Sequence, residues 1–579
     1  MSFPAGEPPT PVASAAAVSG APGAAAAGAS DHSEQPAVGG AGPRPGLALR
    51  IVAHLAVWFV FADAAVRAVL GGWRPVSDAA VIAIRSWDVL TAHGLLVGEA
   101  TRLAHGVYDL GPAEFWLLAL PVRVDPAHGV LWGAALWCAV AGSLAIEASR
   151  AAGGRIGVLA ASGMILGIVA WSPKAAMLPY WNPWFGMMFF LAALAAGWAV
   201  LSGDSAWWPV LAVTGSVAAQ AHLMYALAAS CLLMVGFVAV VVDSRRSGRY
   251  RWAVAGTAAG LACWLAPLIQ QVTARSGNIS GLLGVLRAGG AASAGLGFGL
   301  RALAAGSQPP AYWWMPSIEA LHLSGIEQRP AWFGIAQLVA LAVLLLVAVL
   351  VLRSRRAAAL VVLSLVTALT VVETFAGIPA WNIVRPATDL SYLLAPLFPM
   401  GALLWLSALY VVALVIARIR GRASPWSGQH RAVSSAGSAG GVPRSRRQRL
   451  AGPMSVVLAA SSVVLAASLG VWAAAHVGGA LTNQRPARRA IVSAAGAITR
   501  RLPAQQVALT VVAPGKMYGR QVTLGLAYLL RSDGFAPEIT PSLAFQIAPA
   551  YYYRGSPITR VTVVIHRGGG HTRVIINKW

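Results

Sequence analysis

Acidic side chains are scarce in this chain: 19 Asp and Glu stand against 43 Lys and Arg in 579 residues, a formal net charge of +24. Charged residues together reach only 11%, where a soluble domain carries about 25%. That shortage excludes an ordinary water-soluble fold. Cysteine is scarcer still, and Cys138, Cys231 and Cys263 all fall inside apolar runs. Such thiols exclude a disulfide framework and a Cys-rich metal site, and read as packing residues. Also missing are a phosphate-binding P-loop, a G-x-G-x-x-G in strand–turn–helix context, an H-E-x-x-H and any tandem repeat. The His residues are scattered, which argues against a His-rich metal site. Gly289-Gly290 and Gly568-Gly569-Gly570 read as turns.

What is abundant is apolar: 57% of residues are hydrophobic, in recurring runs of about 18 residues or more, the signature of a polytopic helical membrane protein. Arginines flank those runs as cytoplasmic loops require, so the positive excess reads as membrane orientation and not as nucleic-acid binding. About eleven spans are expected, near 48–70, 127–148, 155–171, 184–202, 206–219, 223–242, 252–270, 333–352, 357–376, 391–416 and 454–476. The run 206–242 is too long for one crossing, and Gln220-Ala221-His222 is its polar turn.

Residues 1–46, rich in Ala, Gly, Pro and Ser, read as a disordered cytoplasmic tail without the apolar core of a cleavable signal. The first span then reads as an uncleaved anchor. Residues 47–417 form the transmembrane domain, 418–453 a basic cytoplasmic linker, 454–477 the last span and 480–579 an external domain. Basic loops at Arg150 and Arg155, Arg245 to Arg251, Arg353 to Arg356 and the linker fall on one side with the tail. Loops 71–126 and 271–332 and the C-terminal region are therefore expected outside, on a bacterial plasma membrane. In 480–579, helical stretches 484–502 and 516–532 alternate with strand patterns at 506–513, 560–566 and 573–576. The fold class expected is an all-α polytopic membrane bundle of about eleven spans carrying a small C-terminal external α/β domain.

Among so few acids, Asp78 is the candidate with most weight. It follows Pro75 and Ser77 just after the first span and opens a helix whose Val81, Ile82, Ile84, Val89 and Leu90 suggest an amphipathic segment at the interface. Ser77 would be its N-cap and Asp78 a first-turn acid. A carboxylate near hydrocarbon is expensive to keep and therefore points to function, here a general base accepting a hydroxyl proton. Asp88 and Glu114 are alternates, and Glu99, Asp109 and Asp125 complete the acids of the loop. Arg85, two turns after Asp78, could hold a phosphate, as could Lys174, Arg275 and Arg385. Trp181, Asn182, His222 and Gln271 lie at the same ends of their spans, an aromatic belt or a wall for a sugar or acceptor.

The strings Ser77-Asp78-Ala79-Ala80-Val81-Ile82-Ala83-Ile84-Arg85-Ser86 and Tyr108-Asp109-Leu110-Gly111-Pro112-Ala113-Glu114-Phe115-Trp116-Leu117-Leu118-Ala119-Leu120-Pro121 resemble those of actinobacterial membrane proteins of the GT-C glycosyltransferase superfamily. The resemblance covers about residues 48–420. The external C-terminal domain is similar in arrangement to that of arabinofuranosyltransferases. The resemblance implies a polyprenyl-phosphate sugar donor, an envelope glycan or glycolipid acceptor such as one taking arabinose or mannose, and inverting transfer with Asp78 as base. Family loops often pair two acids, whereas Ser77 and Ala79 flank Asp78 here, so no cofactor is assigned and a bridged divalent metal is disfavoured. Two other readings stay open: a non-catalytic envelope assembly protein that keeps the fold, and a lipid or solute transporter depending on Asp63.

Overall fold

Helices with no polar face dominate the architecture, because such helices are stable only inside other protein or lipid. The computed structural model describes residues 45–101, 106–171, 180–287, 293–308, 323–380, 391–420, 485–544, 546–548, 551–552, 559–565 and 572–577. The expected tail up to residue 44, the linker from 421 and the span at 454–477 lie outside the described residues. Among these, eight helices are long and apolar enough to cross a bilayer, and the chain is a multi-pass membrane protein.

The bundle begins with α1 (Pro45–Leu70) and continues after two short helices, α2 (Asp78–Trp87) and α3 (Ala113–Val124). The segment α4 (Gly129–Trp171) is two helices joined across a kink at Gly154, whose backbone leaves the helix at φ 60°, ψ −137°. A Cβ on Gly157 would stand 1.9 Å from the Ser149 carbonyl oxygen, and one on Gly142 would stand 3.5 Å from Ile165. In a straight helix residues eight apart are about 12 Å apart, so the chain doubles back at Gly154 and supplies the two runs expected at 127–148 and 155–171. Next come α5 (Asn182–Leu201), α6 (Trp208–Ala221), α7 (Leu223–Ser247) and α8 (Arg251–Thr273). The 14 residues of α6 reach about 21 Å, short of the roughly 30 Å of hydrocarbon. Among the described residues, therefore, length supports eight crossing helices and does not confirm the expected eleven. After α9 (Asn278–Arg287) and α10 (Gly295–Ser307), the bundle closes with α11 (Ala331–Leu346), α12 (Arg355–Ala376) and α13 (Leu397–Ile419).

The C-terminal sheet domain starts with α14 (Arg485–Thr499), followed by β1 (Gln506–Val512), α15 (Lys516–Ser532), β2 (Ala536–Glu538), β3 (Thr559–Ile565) and β4 (Thr572–Asn577). The strand order is β2-β1-β3-β4. Strand β1 pairs parallel with β2 and β3, and β4 closes the edge antiparallel to β3, Val563 opposite Val574. Strand β2 escapes sequence reading because it has three residues and a proline at its middle, which alternation cannot flag.

One expectation is corrected. The apolar face of the helix after the first span is covered by protein and not by lipid. Eight of the 10 residues of α2 are buried, because α3 and α4 pack on it from the bundle and α15 from the sheet domain. Val81, Ile82 and Ile84 are each 0% exposed, and each such burial contributes about 1.5–3 kcal/mol. The periodicity identified the helix, but a protein surface and a lipid surface demand the same apolar residues.

Candidate active site

The site grows from the first residues of α2. Ser77 stands at its N-cap position with φ 51° and ψ −129°, and its hydroxyl caps nothing. The expected Ser77 cap is thus absent; Ser77 Oγ is 3.4 Å from Asp78 Oδ1 instead. A non-glycine residue at positive φ carries about 1–3 kcal/mol of strain, which surrounding structure must over-determine. Here the surroundings include the sheet domain: Arg520 Nη2, from α15, lies 3.3 Å from Asp78 Oδ1. The same Nη2 donates to Gln546 Oε1 at 2.9 Å. Both side chains of the ion pair keep 29% of their surface exposed.

Ten residues on, the other end of α2 is sealed. Arg531 donates Nε and Nη2 to Asp88 Oδ1 at 3.1 and 2.9 Å. Tyr551 donates its hydroxyl to Asp88 Oδ2 at 2.6 Å. Asp88 is 2% exposed. Burial first, and then the Asp88 charge, push the Tyr551 phenol well above its usual range, which keeps it a donor. Asp88, the alternate base, is therefore an anchor whose oxygens are taken. Glu114, the other alternate, is buried. Its carboxyl is pushed well up by burial, then by the charges of Glu99 and Asp109, and Oε1 finds no partner among the described residues.

Between these ends lies a group of acids around one buried guanidinium. Arg85 donates Nη2 to the Val97 carbonyl at 2.6 Å and sits over the Phe115 ring, 4.5 Å from its centroid. Burial pulls its pKa down to about 10, while Tyr108, Glu99, Asp88 and Asp109 resist. The cation expected to reach a lipid phosphate thus faces inward, with 4% of its surface exposed. Glu99 feels burial first, then the charges of Asp78 and Asp109, and all three push its carboxyl well up. It keeps some surface although protein surrounds it, and Oε2 has no partner among the described residues. Asp109 Oδ1 accepts from the Leu223 amide at 3.1 Å and Oδ2 from Asn182 Nδ2 at 3.0 Å. Burial raises Asp109 to about 8, and the two donors and Arg85 pull against it.

Asn182, expected at a sugar, also donates to the Ala221 carbonyl at 3.0 Å, so its amide ties α5 to the turn between α6 and α7 around Asp109. His222 Nδ1 accepts from the Met224 amide at 3.2 Å and caps α7. Trp181 and His222 both lean on Tyr392, with ring centroids 5.1 and 5.4 Å apart. They form an aromatic group with it. Gln271 accepts from the Ile279 amide at 3.0 Å and donates to Ser280 Oγ at 2.6 Å, which commits it to the turn before α9. Arg275 is exposed at the end of α8. Lys174 and Arg385 lie outside the described residues. Asp63 pairs with Arg67 at 2.7 Å within α1. Sequence reading missed Arg520 and Arg531, whose spacing of eleven sets both on one face of α15; that spacing was the available signal.

No family model matches the chain, and no curated protein matches it. Among solved structures it is similar to ArnT from Cupriavidus metallidurans bound to undecaprenyl phosphate, at 16% identity and a TM-score of 0.47, over 89% of this chain and 93% of that one. The apo state of the same protein is similar at 15% identity and a TM-score of 0.39, over 89% and 92%. The Archaeoglobus fulgidus oligosaccharyltransferase in its apo form is similar at 12% identity and a TM-score of 0.38, over 86% of this chain and 65% of that one.

Proposed function

We propose that the chain is a membrane glycosyltransferase that moves a sugar from a polyprenyl-phosphate donor to an envelope glycan or glycolipid acceptor at the external boundary of the membrane. Asp78 is the general base. One observation carries this assignment: Asp78 keeps a partly open carboxylate with one long contact to a cation. Glu99 keeps some surface too, but burial and the charges of Asp78 and Asp109 push its carboxyl well up. Asp88 is held by Arg531 and Tyr551, Asp109 by Leu223 and Asn182, and Asp125 by the amides of Ala127 and His128. Glu114 is shut in the interior. The resemblance carried by residues 77–86 and 108–121 supports the same reading.

In the step proposed, an acceptor hydroxyl oxygen attacks the anomeric carbon of the donor. The bond from that carbon to the phosphate oxygen breaks, its electron pair leaves on the polyprenyl phosphate, and Asp78 takes the hydroxyl proton. Attack opposite the leaving group inverts the anomeric centre. Trp181, with Tyr392 and His222 beside it, offers an aromatic wall for a sugar ring. Arg275, Lys174 and Arg385 are the cations proposed around the leaving phosphate. Among the described residues no group of three or more His, Cys, Asp or Glu is arranged to hold a metal ion. No step is assigned to a metal.

The test is glycosyl transfer by the full chain in nanodiscs, offered a panel of polyprenyl-phosphate sugars and glycan acceptors. Asp78→Asn should lower kcat by about 10²–10⁴-fold with the fold intact. Equal turnover by both proteins removes Asp78 as base. Absence of transfer from every donor removes the enzyme reading and leaves the assembly protein.

A further inference from the structure

We infer that Arg520 binds the phosphate of the lipid-linked donor, and that it does so by leaving Asp78. The inference rests on the reading of Asp78 as base. It adds a binding residue from the sheet domain and an exchange: the donor's phosphate takes the cation, and the carboxylate is released to accept a proton.

The two ion pairs between α15 and α2 are unlike each other. At the Asp88 end two guanidinium nitrogens converge on one carboxylate, a tyrosine hydroxyl completes it, and Asp88 is 2% exposed. At the Asp78 end a single nitrogen makes contact, at 3.3 Å, and divides its donation between Asp78 and Gln546. Arg520 Nε is buried and finds no partner among the described residues. A guanidinium is strongest when two parallel N–H groups meet two oxygens of one anion. The Arg520–Asp78 pair forgoes that geometry, and the phosphate of the lipid carrier, a diester in the donor and a monoester once the sugar has left, can supply it by accepting from Nε and Nη2 on two non-bridging oxygens. Because the Asp88 end remains fastened, Arg520 can turn without releasing α15 from α2.

Exchange also answers a chemical difficulty. A base held by a guanidinium is a poor proton acceptor, since the cation favours the ionised carboxylate. Removing the cation as the phosphate arrives frees Asp78 Oδ1 to meet an acceptor hydroxyl only when donor is present. The lone, shared contact is what such a handover needs.

The experiment measures binding to the full chain in phosphatidylcholine nanodiscs doped with undecaprenyl monophosphate, undecaprenol or phosphatidylglycerol. Arg520→Gln should weaken undecaprenyl monophosphate binding roughly tenfold or more, the loss of a charge-assisted pair, with Arg520→Lys between. Asp78→Asn, which removes the competitor, should tighten it about threefold, and the double variant should match Arg520→Gln. Undecaprenol should respond to none of these changes. Unchanged monophosphate binding by Arg520→Gln overturns the assignment and leaves the glycosyltransferase reading standing. Weaker or equal binding by Asp78→Asn overturns the exchange, through a variant that does not touch Arg520. An equal response with phosphatidylglycerol gives the site to bulk headgroups and overturns the carrier assignment. No monophosphate binding by the unaltered chain sinks this inference and the donor reading with it.

Discussion

Asp88 and Asp78 are ten residues apart and have opposite surroundings. With Asp88 removed, Arg531 and the Tyr551 hydroxyl stay in the interior without their acceptor. Asp88→Ala should therefore cost about 3–5 kcal/mol, the penalty for leaving one partner of a buried pair. Tyr551→Phe loses one bond to a charged group and should cost about 1.5–3 kcal/mol. Chemical unfolding of the purified chain, followed by cleavage within 485–565, ranks the two; near-zero costs for both dismiss the anchor. The sequence shows that both acids are rare and close to a span. It does not show which one is fastened, because Arg531 and Tyr551 are 443 and 463 residues away along the chain. Glu99 and Asp109 were legible only as members of the loop's acids. Their gathering around Arg85 depends on the pairing of Gly98 and Asp109, whose amide-to-carbonyl bond is 2.9 Å, and no local pattern announces it.

At the scale of elements, α15 and α2 run side by side in the same direction. Arg520 and Arg531 span about 16 Å of α15, and Asp78 and Asp88 about 15 Å of the α2 region, so one rigid helix matches the other at both ends. Close approach of α15 to α14 and to the turn before α2 is secured by Gly525. A Cβ there would lie 2.4 Å from Ile491 Cδ1 and 2.9 Å from the Pro75 carbonyl oxygen. Helix propensity alone favours Gly525→Ala by about 1 kcal/mol. The structure reverses that sign: the methyl meets backbone and pushes α15 away. Hydrogen exchange should then accelerate in 78–88 in the variant, while protection in α5 stays unchanged. A slower exchange would show that the helices have room to spare. Helices such as these were readable from period and apolar content, and so was the break near Gly154, marked by Gly153-Gly154-Arg155 between two apolar runs. The contacting surface of α2 was misread because its composition suits lipid and protein equally.

For the whole molecule, the buried acids set a dependence on pH. Asp109 titrates at an ordinary 3.8 when unfolded and at about 8 in the folded chain, chiefly through burial. Between those values the folded protein binds more protons than the unfolded one, so stability falls as pH rises. The contribution is complete below about 4 and is lost as pH passes through about 8. Glu99 and Glu114, also raised by burial, act in the same direction. Asp109→Asn should flatten the fall in thermal stability between pH 4 and 8. A slope as steep as that of the unaltered chain assigns the dependence to other groups. The class of the molecule, a helical membrane bundle with a small sheet domain behind it, was legible because hydrocarbon imposes long apolar runs. The junction between the two parts was not, since it is built from single side chains distant in sequence.

That junction has a consequence for the order of manufacture. Ribosomes complete residues 45–420 well before Arg520, Arg531 and Tyr551 exist. Until the last sixth of the chain emerges, the spans can insert and the bundle can assemble with Asp88 bare and α2 lacking its second wall. A product cut short before α15 would be a membrane-embedded body with the chemistry unfinished. In such a body Asp88 would lack the partners that Arg531 and Tyr551 supply, so only the full-length chain completes this end of α2.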